Sequence, residues 1–299
     1  MEFSRLSTIR NLLEMIRFSH TLFALPFALL SAALAWKQKE EFSWIELLGI
    51  VACMVFARSA AMSFNRIVDR RLDAANPRTA GRHLPSGQLK VSHAWLFTLL
   101  CSIGFVASTL IFLVRNNPWP TILSVPVLIF IAAYSLSKRF TVLSHFWLGA
   151  SLMLAPVATW IAICGLSHLD SPLVLGLAVL FWVAGFDILY ACQDLEFDRK
   201  AGLFSIPSRV GIRVSLWLAS ACHVVMLIML ICLWATSPFL GGIYLAGVGC
   251  VGILLAYEHW LVRPEDMTRV NQAFFHVNGV ISVGLLLVVL LQLAFLPSR

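Results

Sequence analysis

Asn65, Asp69 and Asp73 recur at every fourth residue, and Asp187, Tyr190, Asp194 and Asp198 follow each other at intervals of three and four later in the 299-residue chain. On an α-helix either spacing lines its residues along one face, each step of four rising about 6 Å. Carboxylates gathered this closely repel one another and resist leaving water, so keeping them ionised together calls for a cation. Oxygen donors with no sulfur or imidazole partner select a hard ion. Mg2+ fits best, because it takes one or two carboxylates and completes its shell with water and substrate phosphate. Basic residues sit close by: Arg78 and Arg82 after the first set, Arg199, Lys200 and Arg209 after the second, and Lys138 and Arg139 in YSLSKRFT. Guanidinium forks suit phosphate oxygens. Carboxylates, metal and basic residues together describe a clamp on a departing diphosphate.

Plainer roles compete at some of these positions. Asp73, beside Ala-Ala-Asn-Pro, is either a ligand or a helix-end partner for a nearby arginine. Glu196 falls off the second stripe and reads as solvated. Arg70, Arg71, Lys90 and Arg213 read as topology determinants. Arg58 lies within an apolar run on the helical face of Asn65, where an intramembrane charge is a functional candidate, though an ion-paired strut explains it equally well.

The elements that must hold these residues are membrane helices. The chain is 60% hydrophobic and only 12% charged, with mean hydropathy +0.86, against roughly 25% charge in a soluble domain. Apolar runs near the length needed to cross a bilayer lie at roughly 18–36, 44–64, 93–114, 119–137, 143–165, 171–192, 214–236, 240–261 and 272–296. An all-α, multi-pass protein with nine transmembrane helices is expected. Seventeen of the 22 Lys and Arg fall in the N-terminal lead-in and the second, fourth, sixth and eighth connections. The alternate connections and the tail hold only Lys37, Lys39, Arg115 and Arg299. This alternation puts the N-terminus and both acidic stretches on the cytoplasmic side.

The net charge of +7 is therefore explained by topology, without nucleic acid. The lead-in MEFSRLSTIRNLLEMIR reads as amphipathic rather than as a cleaved signal. The seven cysteines are scattered singly, with no C-x-x-C or zinc spacing, and the eight histidines form no H-E-x-x-H motif. Residues 1–299 read as a single integral membrane domain in an inner membrane, with no obligatory protein partner evident.

The two motifs resemble those of the UbiA-type intramembrane prenyltransferases, which include 4-hydroxybenzoate polyprenyltransferases. The resemblance rests on IRFSHTLFALPFALLSA at 16–32, N-x-x-x-D-x-x-x-D at Asn65, Asp69 and Asp73, and NPRTAGRHLPSG. It continues through YSLSKR at 134–139 and D-x-x-Y-x-x-x-D-x-x-x-D from Asp187 to Asp198. It implies a ring of nine helices with cytoplasmic cap loops over the active site. It also implies that Asn65, Asp69, Asp73, Asp194 and Asp198 hold Mg2+, and that Arg78, Lys138 and Arg139 bind the diphosphate of a polyprenyl donor. Arg82, Ser135 in YSLSKR, Arg17 in the lead-in and Arg58 join this substrate-binding set. Asp69 and Asp194 are the metal-binding carboxylates on which catalysis depends, while Asp187 and Tyr190 lie deeper, near the reacting carbon or the acceptor.

Arg66 stands where many relatives carry an aspartate, so the first motif is one carboxylate short. The implied reaction transfers a polyprenyl group to an aromatic acid of the 4-hydroxybenzoate type in respiratory quinone synthesis. NPRTAGRHLP and GLFSIPSRVG equally suit a naphthoate-type acceptor on the menaquinone branch. From a different class, carboxylates at matching positions in two halves of a helical bundle also suit a cation-coupled transporter.

Overall fold

A computed structural model of the chain describes residues 5–16, 23–263, 267, 270 and 273–295. Every regular element in it is helical: α1 Arg5–Met15, α2 Leu25–Lys39, α3 Trp44–Ala75, α4 Val91–Thr109, α5 Trp119–Ser137, α6 Ser144–Cys164, α7 Asp170–Ala191, α8 Leu195–Lys200, α9 Ile206–Thr236, α10 Gly242–Leu261 and α11 Asn278–Phe295. Among the described residues eight helices are long and apolar enough to cross a membrane. The difference from nine lies in the first expected span, 18–36. Its described part, α2, has 15 residues, and residues 17–22 lie outside those described. Large apolar side chains on the spans stay exposed, among them Trp217, Ile253 and Leu48, as expected of a lipid-facing surface.

The helices form two compact units, one built from α1 and residues 48–136, the other from residues 23–47 and the chain from Ser137 onward. In the first unit α3 runs for 32 residues, about 48 Å, well beyond a hydrocarbon core of about 30 Å. Its last third, from Asn65, therefore continues past the apolar stretch as helix. Ser63 Oγ donates to the Ala94 carbonyl at 3.1 Å and receives the Thr98 hydroxyl at 2.8 Å, pinning α3 to α4. Below that pin Ile67 joins Met15, Ile16, Leu84, Leu89 and Ala94 in a buried apolar cluster. Asn11 donates to the Gln88 carbonyl at 3.0 Å. Glu14, which the Arg10 guanidinium holds below the usual carboxylate range, meets His83 at 3.5 Å. The connection from α3 to α4, residues 76–90, is thus tied down at several points by α1.

In the second unit α7 is the innermost helix, with Trp182, Val183, Ala184 and Ile188 fully enclosed. It packs between α6 and α9. Gly149 on α6 lets the two backbones meet, because a Cβ there would strike the Leu180 carbonyl; small residues at such crossings are the usual device of membrane helices. A buried polar chain adds to the apolar contacts. Trp182 Nε1 donates to Asn278 Oδ1 at 2.6 Å, and Asn278 Nδ2 donates to Glu258 Oε1 at 2.7 Å. On the other side of Trp182, His223 lies 3.3 Å from its carbonyl and 2.9 Å from His259. Four helices, α7, α9, α10 and α11, share this network. It holds α7 along its length and so fixes where the acidic end of that helix points.

Candidate active site

The first motif sits on the last three turns of α3. Asn65 Nδ2 donates to Asp69 Oδ2 at 3.0 Å, and Arg66 Nη1 reaches Asn65 Oδ1 at 3.4 Å. The asparagine therefore orients its neighbouring carboxylate along the helix face. Asp73, one turn on, is buried and accepts from Arg82 Nη1 at 2.6 Å through Oδ1. The arginine partnership considered for Asp73 is present, but it occupies only one oxygen. Oδ2 is buried with no hydrogen-bond partner, and such an orphaned acceptor costs about 1–3 kcal/mol.

The chain after Asp73 folds back on it. Thr79 Oγ1 donates to the Asp73 carbonyl at 3.0 Å, and Asn76 Oδ1 accepts the Arg78 N–H at 3.0 Å, an Asx turn that ends the helix. Arg78 is exposed at the head of this loop. Ser135 is buried on α5. Arg58 is half-buried inside α3, seven residues before Asn65. Arg17 lies outside the described residues.

The second motif departs from the expected continuous stripe. α7 ends at Ala191, a 3₁₀ turn covers Cys192–Asp194, and α8 starts at Leu195. Backbone N–H groups at the end of α7 bond to the Leu189 and Tyr190 carbonyls as the helix tightens into the 3₁₀ turn, and Gln193 Nε2 also donates to the Tyr190 carbonyl at 3.2 Å. Asp194 becomes the residue that leads into α8. Asp187 and Tyr190 stay on α7, and Asp198 falls on the short helix beyond.

Asp198 is buried at 3% exposure. Lys138 is the opposite charge beside it and Asp194 a like charge close by. Its Oδ2 has no partner, repeating the arrangement at Asp73. Several backbone contacts hold this corner. The Phe204 N–H donates to the Lys138 carbonyl at 2.7 Å and the Leu203 N–H to the Asp198 carbonyl at 2.8 Å. Gly202 takes a left-handed turn at φ 68° that a side chain would strain. Ser205 and Ser208 then cap α9 reciprocally.

The basic residues of this unit divide in use. Lys138 is half-buried beside Asp198, while Arg139 is exposed. Arg199 instead donates to the Ser208 carbonyl at 3.0 Å, and Arg209 stacks over Phe204 at 4.1 Å. Glu196 is exposed, as its place off the stripe implied.

Among the described residues no three His, Cys, Asp or Glu side chains converge on one point as a ready-made cage. Each motif instead offers oxygen donors and one buried carboxylate oxygen without a partner. That donor set fits Mg2+, which accepts one or two carboxylates and takes the rest of its shell from water and phosphate.

His145 is a functional candidate that residue spacing does not reveal. His145 Nδ1 lies 2.7 Å from Asp187 Oδ2, across 42 residues of sequence. No local pattern marks a contact of that kind.

Comparison with known proteins fits this arrangement. Residues 24–280 match the UbiA prenyltransferase family. The 4-hydroxybenzoate octaprenyltransferase of Methylobacillus flagellatus is 31% identical over 79% of this chain and 78% of its own. Among solved structures, a UbiA homolog from Aeropyrum pernix K1 superposes with TM-score 0.82 at 28% identity, over 92% of this chain and 98% of that one. A UbiA homolog from Archaeoglobus fulgidus, solved with DMAPP and Mg2+ bound, shares the fold at TM-score 0.69 and 19% identity, over 96% and 100% of the two chains.

Proposed function

The chain belongs to the UbiA prenyltransferase family, and from that premise we propose that it transfers a polyprenyl group from polyprenyl diphosphate to an aromatic acid of the 4-hydroxybenzoate type in respiratory quinone synthesis. The observation that carries the reading is the pair of buried carboxylate oxygens without partners, Asp73 Oδ2 and Asp198 Oδ2, one in each acidic motif. Burying such an oxygen is costly unless a ligand completes it. The names of the similar proteins support the choice of acceptor class.

In this reading Asn65, Asp69, Asp73, Asp194 and Asp198 hold Mg2+, and Arg78, Lys138 and Arg139 bind the diphosphate. Bound Mg2+ supplies charge neutralisation on the departing diphosphate. The chain's own residues do the rest. Asn65 aligns Asp69 through its 3.0 Å hydrogen bond, Arg82 holds Asp73 in place, and the Phe204–Lys138 backbone contact sets Lys138 beside Asp198. Asp187 and Tyr190 serve the acceptor side. Ser135, Arg58 and Arg17 complete the substrate-binding set.

The 299 residues act as one integral membrane domain of an inner membrane, with the N-terminus and the reaction on the cytoplasmic side, as the alternation of basic residues supports.

Purified protein given a radiolabelled allylic diphosphate, Mg2+ and a panel of aromatic acids is expected to form a prenylated acid, lost on adding EDTA. The panel separates hydroxybenzoate from naphthoate acceptors. Asp69→Ala and Asp194→Ala are expected to abolish turnover while the protein still inserts and folds. Near-normal activity in either variant would remove the metal assignment. Ion-dependent uptake into vesicles, without turnover on any acceptor, would overturn the whole reading.

A further inference from the structure

We infer that His145 is a positioning residue for Asp187, holding its carboxylate toward the aromatic acceptor; the inference rests on the prenyltransferase reading above. His145 stands in the first turn of α6 and is fully buried, whereas the Asp187 side chain keeps 12% of its surface exposed. The imidazole is behind and the carboxylate in front. The tautomer is fixed by the surroundings. The Ile206 backbone N–H donates to His145 Nε2 at 3.3 Å, so that nitrogen carries no hydrogen and Nδ1–H must donate to Asp187 Oδ2 at 2.7 Å. Both ring nitrogens are thereby used, and the ring cannot flip without losing both bonds.

Asp187 has its Oδ2 oriented by this bond, leaving the remaining acceptor capacity of the carboxylate for a substrate. A carboxylate–histidine pair of this kind orients reacting groups elsewhere, and removing the orienting partner typically costs 10–100-fold. The placement of the pair adds to the case. Ile206 opens α9 at the end of the turn in which the Leu203 N–H donates to the Asp198 carbonyl at 2.8 Å. One buried ring therefore connects Asp187 on α7 to the turn that follows Asp198. A hydroxylated aromatic acid is the chemical class that Asp187 would receive, because an aspartate accepts a hydrogen bond from a ring hydroxyl and repels a bare carboxylate.

The test compares full-length wild type with H145M, which keeps volume but has no N–H, and H145Q, which keeps a donor and an acceptor. The probes are radiolabelled geranyl diphosphate and 4-hydroxybenzoate. For H145M the expected result is a loss of about 10–100-fold in kcat/KM for the acceptor, with the KM for the diphosphate and the Mg2+ dependence unchanged. H145Q is expected to recover most of that loss. In a D187N background H145M should cost little further, since His145 acts through Asp187.

A wild-type value for H145M, or an equal loss in donor and acceptor parameters without rescue by H145Q, would overturn the role while leaving the transferase reading standing. Absence of turnover by the wild type on every aromatic acid would overturn both. If H145M does not fold, H145Q and D187N decide: H145Q near wild type with D187N low supports the role, and H145Q as low as D187N refutes it.

Discussion

Replacing Asp198 by Asn is expected to move stability and activity in opposite directions. The side chain is 3% exposed, its Oδ2 has no partner, and Asp194 is a like charge close by. Removing the charge relieves the desolvation of a buried carboxylate and its repulsion by Asp194, together about 1–3 kcal/mol. It also forfeits the attraction of half-buried Lys138, worth about 0–1 kcal/mol. The net gain for protein without metal is about 1–2 kcal/mol, a rise in Tm of roughly 2–3 °C for a chain of this size.

Turnover should fall by about 100-fold or more, the usual cost of one electrostatic contact to developing charge. Mg2+ with diphosphate should raise the Tm of the wild type by ligand linkage, about 2.7 kcal/mol of stabilisation at a hundred times the dissociation constant. D198N should lose that rise. Thermal unfolding in detergent with and without Mg2+ and diphosphate, beside a radiolabelled transfer assay, measures all three. A lower Tm with unchanged turnover would show that Asp198 is a structural acid and would refute the argument from its orphaned oxygen.

Two further outcomes follow from the same geometry. Arg82→Gln breaks the 2.6 Å pair with buried Asp73 and should cost about 2 kcal/mol, the buried-pair penalty reduced for the 27% exposure of the arginine side chain. Added Mg2+ should recover part of that loss of Tm, and no recovery would separate Asp73 from the metal. Asn278→Ala strands both Trp182 Nε1 and Glu258 Oε1 and should lower stability by about 2–4 kcal/mol, while turnover per folded molecule, measured at low temperature, stays within about twofold.

Hydropathy and charge alternation were enough to read an all-helical membrane protein, because those signals depend on composition over some 20 residues at a time. Only α2 differs from the expected length, and residues 17–22, where the expected span begins, lie outside those described. The two motifs were legible as spacings along single elements, since residues four apart on a helix must share a face. That spacing rule held for α3 and failed for α7, where the helix tightens into a 3₁₀ turn at Cys192–Asp194, with Gln193 bonded to the Tyr190 carbonyl. A glutamine is neutral in helix propensity, so nothing local announces the break. His145 was invisible for another reason: its contacts, Asp187 and Ile206, are 42 and 61 residues away, and only the packing of α6 against α7 creates them. The partial use of Asp73 by Arg82 lay between these cases, open in the sequence and decided by the fold of the loop after Asn76.

Under the proposed function, the order of residues along α7 suits a substrate with a long hydrocarbon tail and a highly charged head. Trp182 packs edge-on against Phe186 at 5.0 Å and beside Phe27 at 5.0 Å, with Phe23 5.6 Å from Phe186. One residue past Phe186 comes Asp187, then Tyr190, then the turn that carries Asp194. Twelve residues, about 18 Å of rise, lead from a buried aromatic cluster to acidic oxygen donors. An allylic diphosphate changes character in the same sense along its own length. A carbocation formed where the two regions meet would have apolar surroundings and little water to quench it. In the proposed reaction the acids at the helix end grip the leaving group, and the buried Trp182–Asn278–Glu258 chain, farther back on the same helix, ties α7 to α10 and α11, with His223 on α9 at the Trp182 carbonyl.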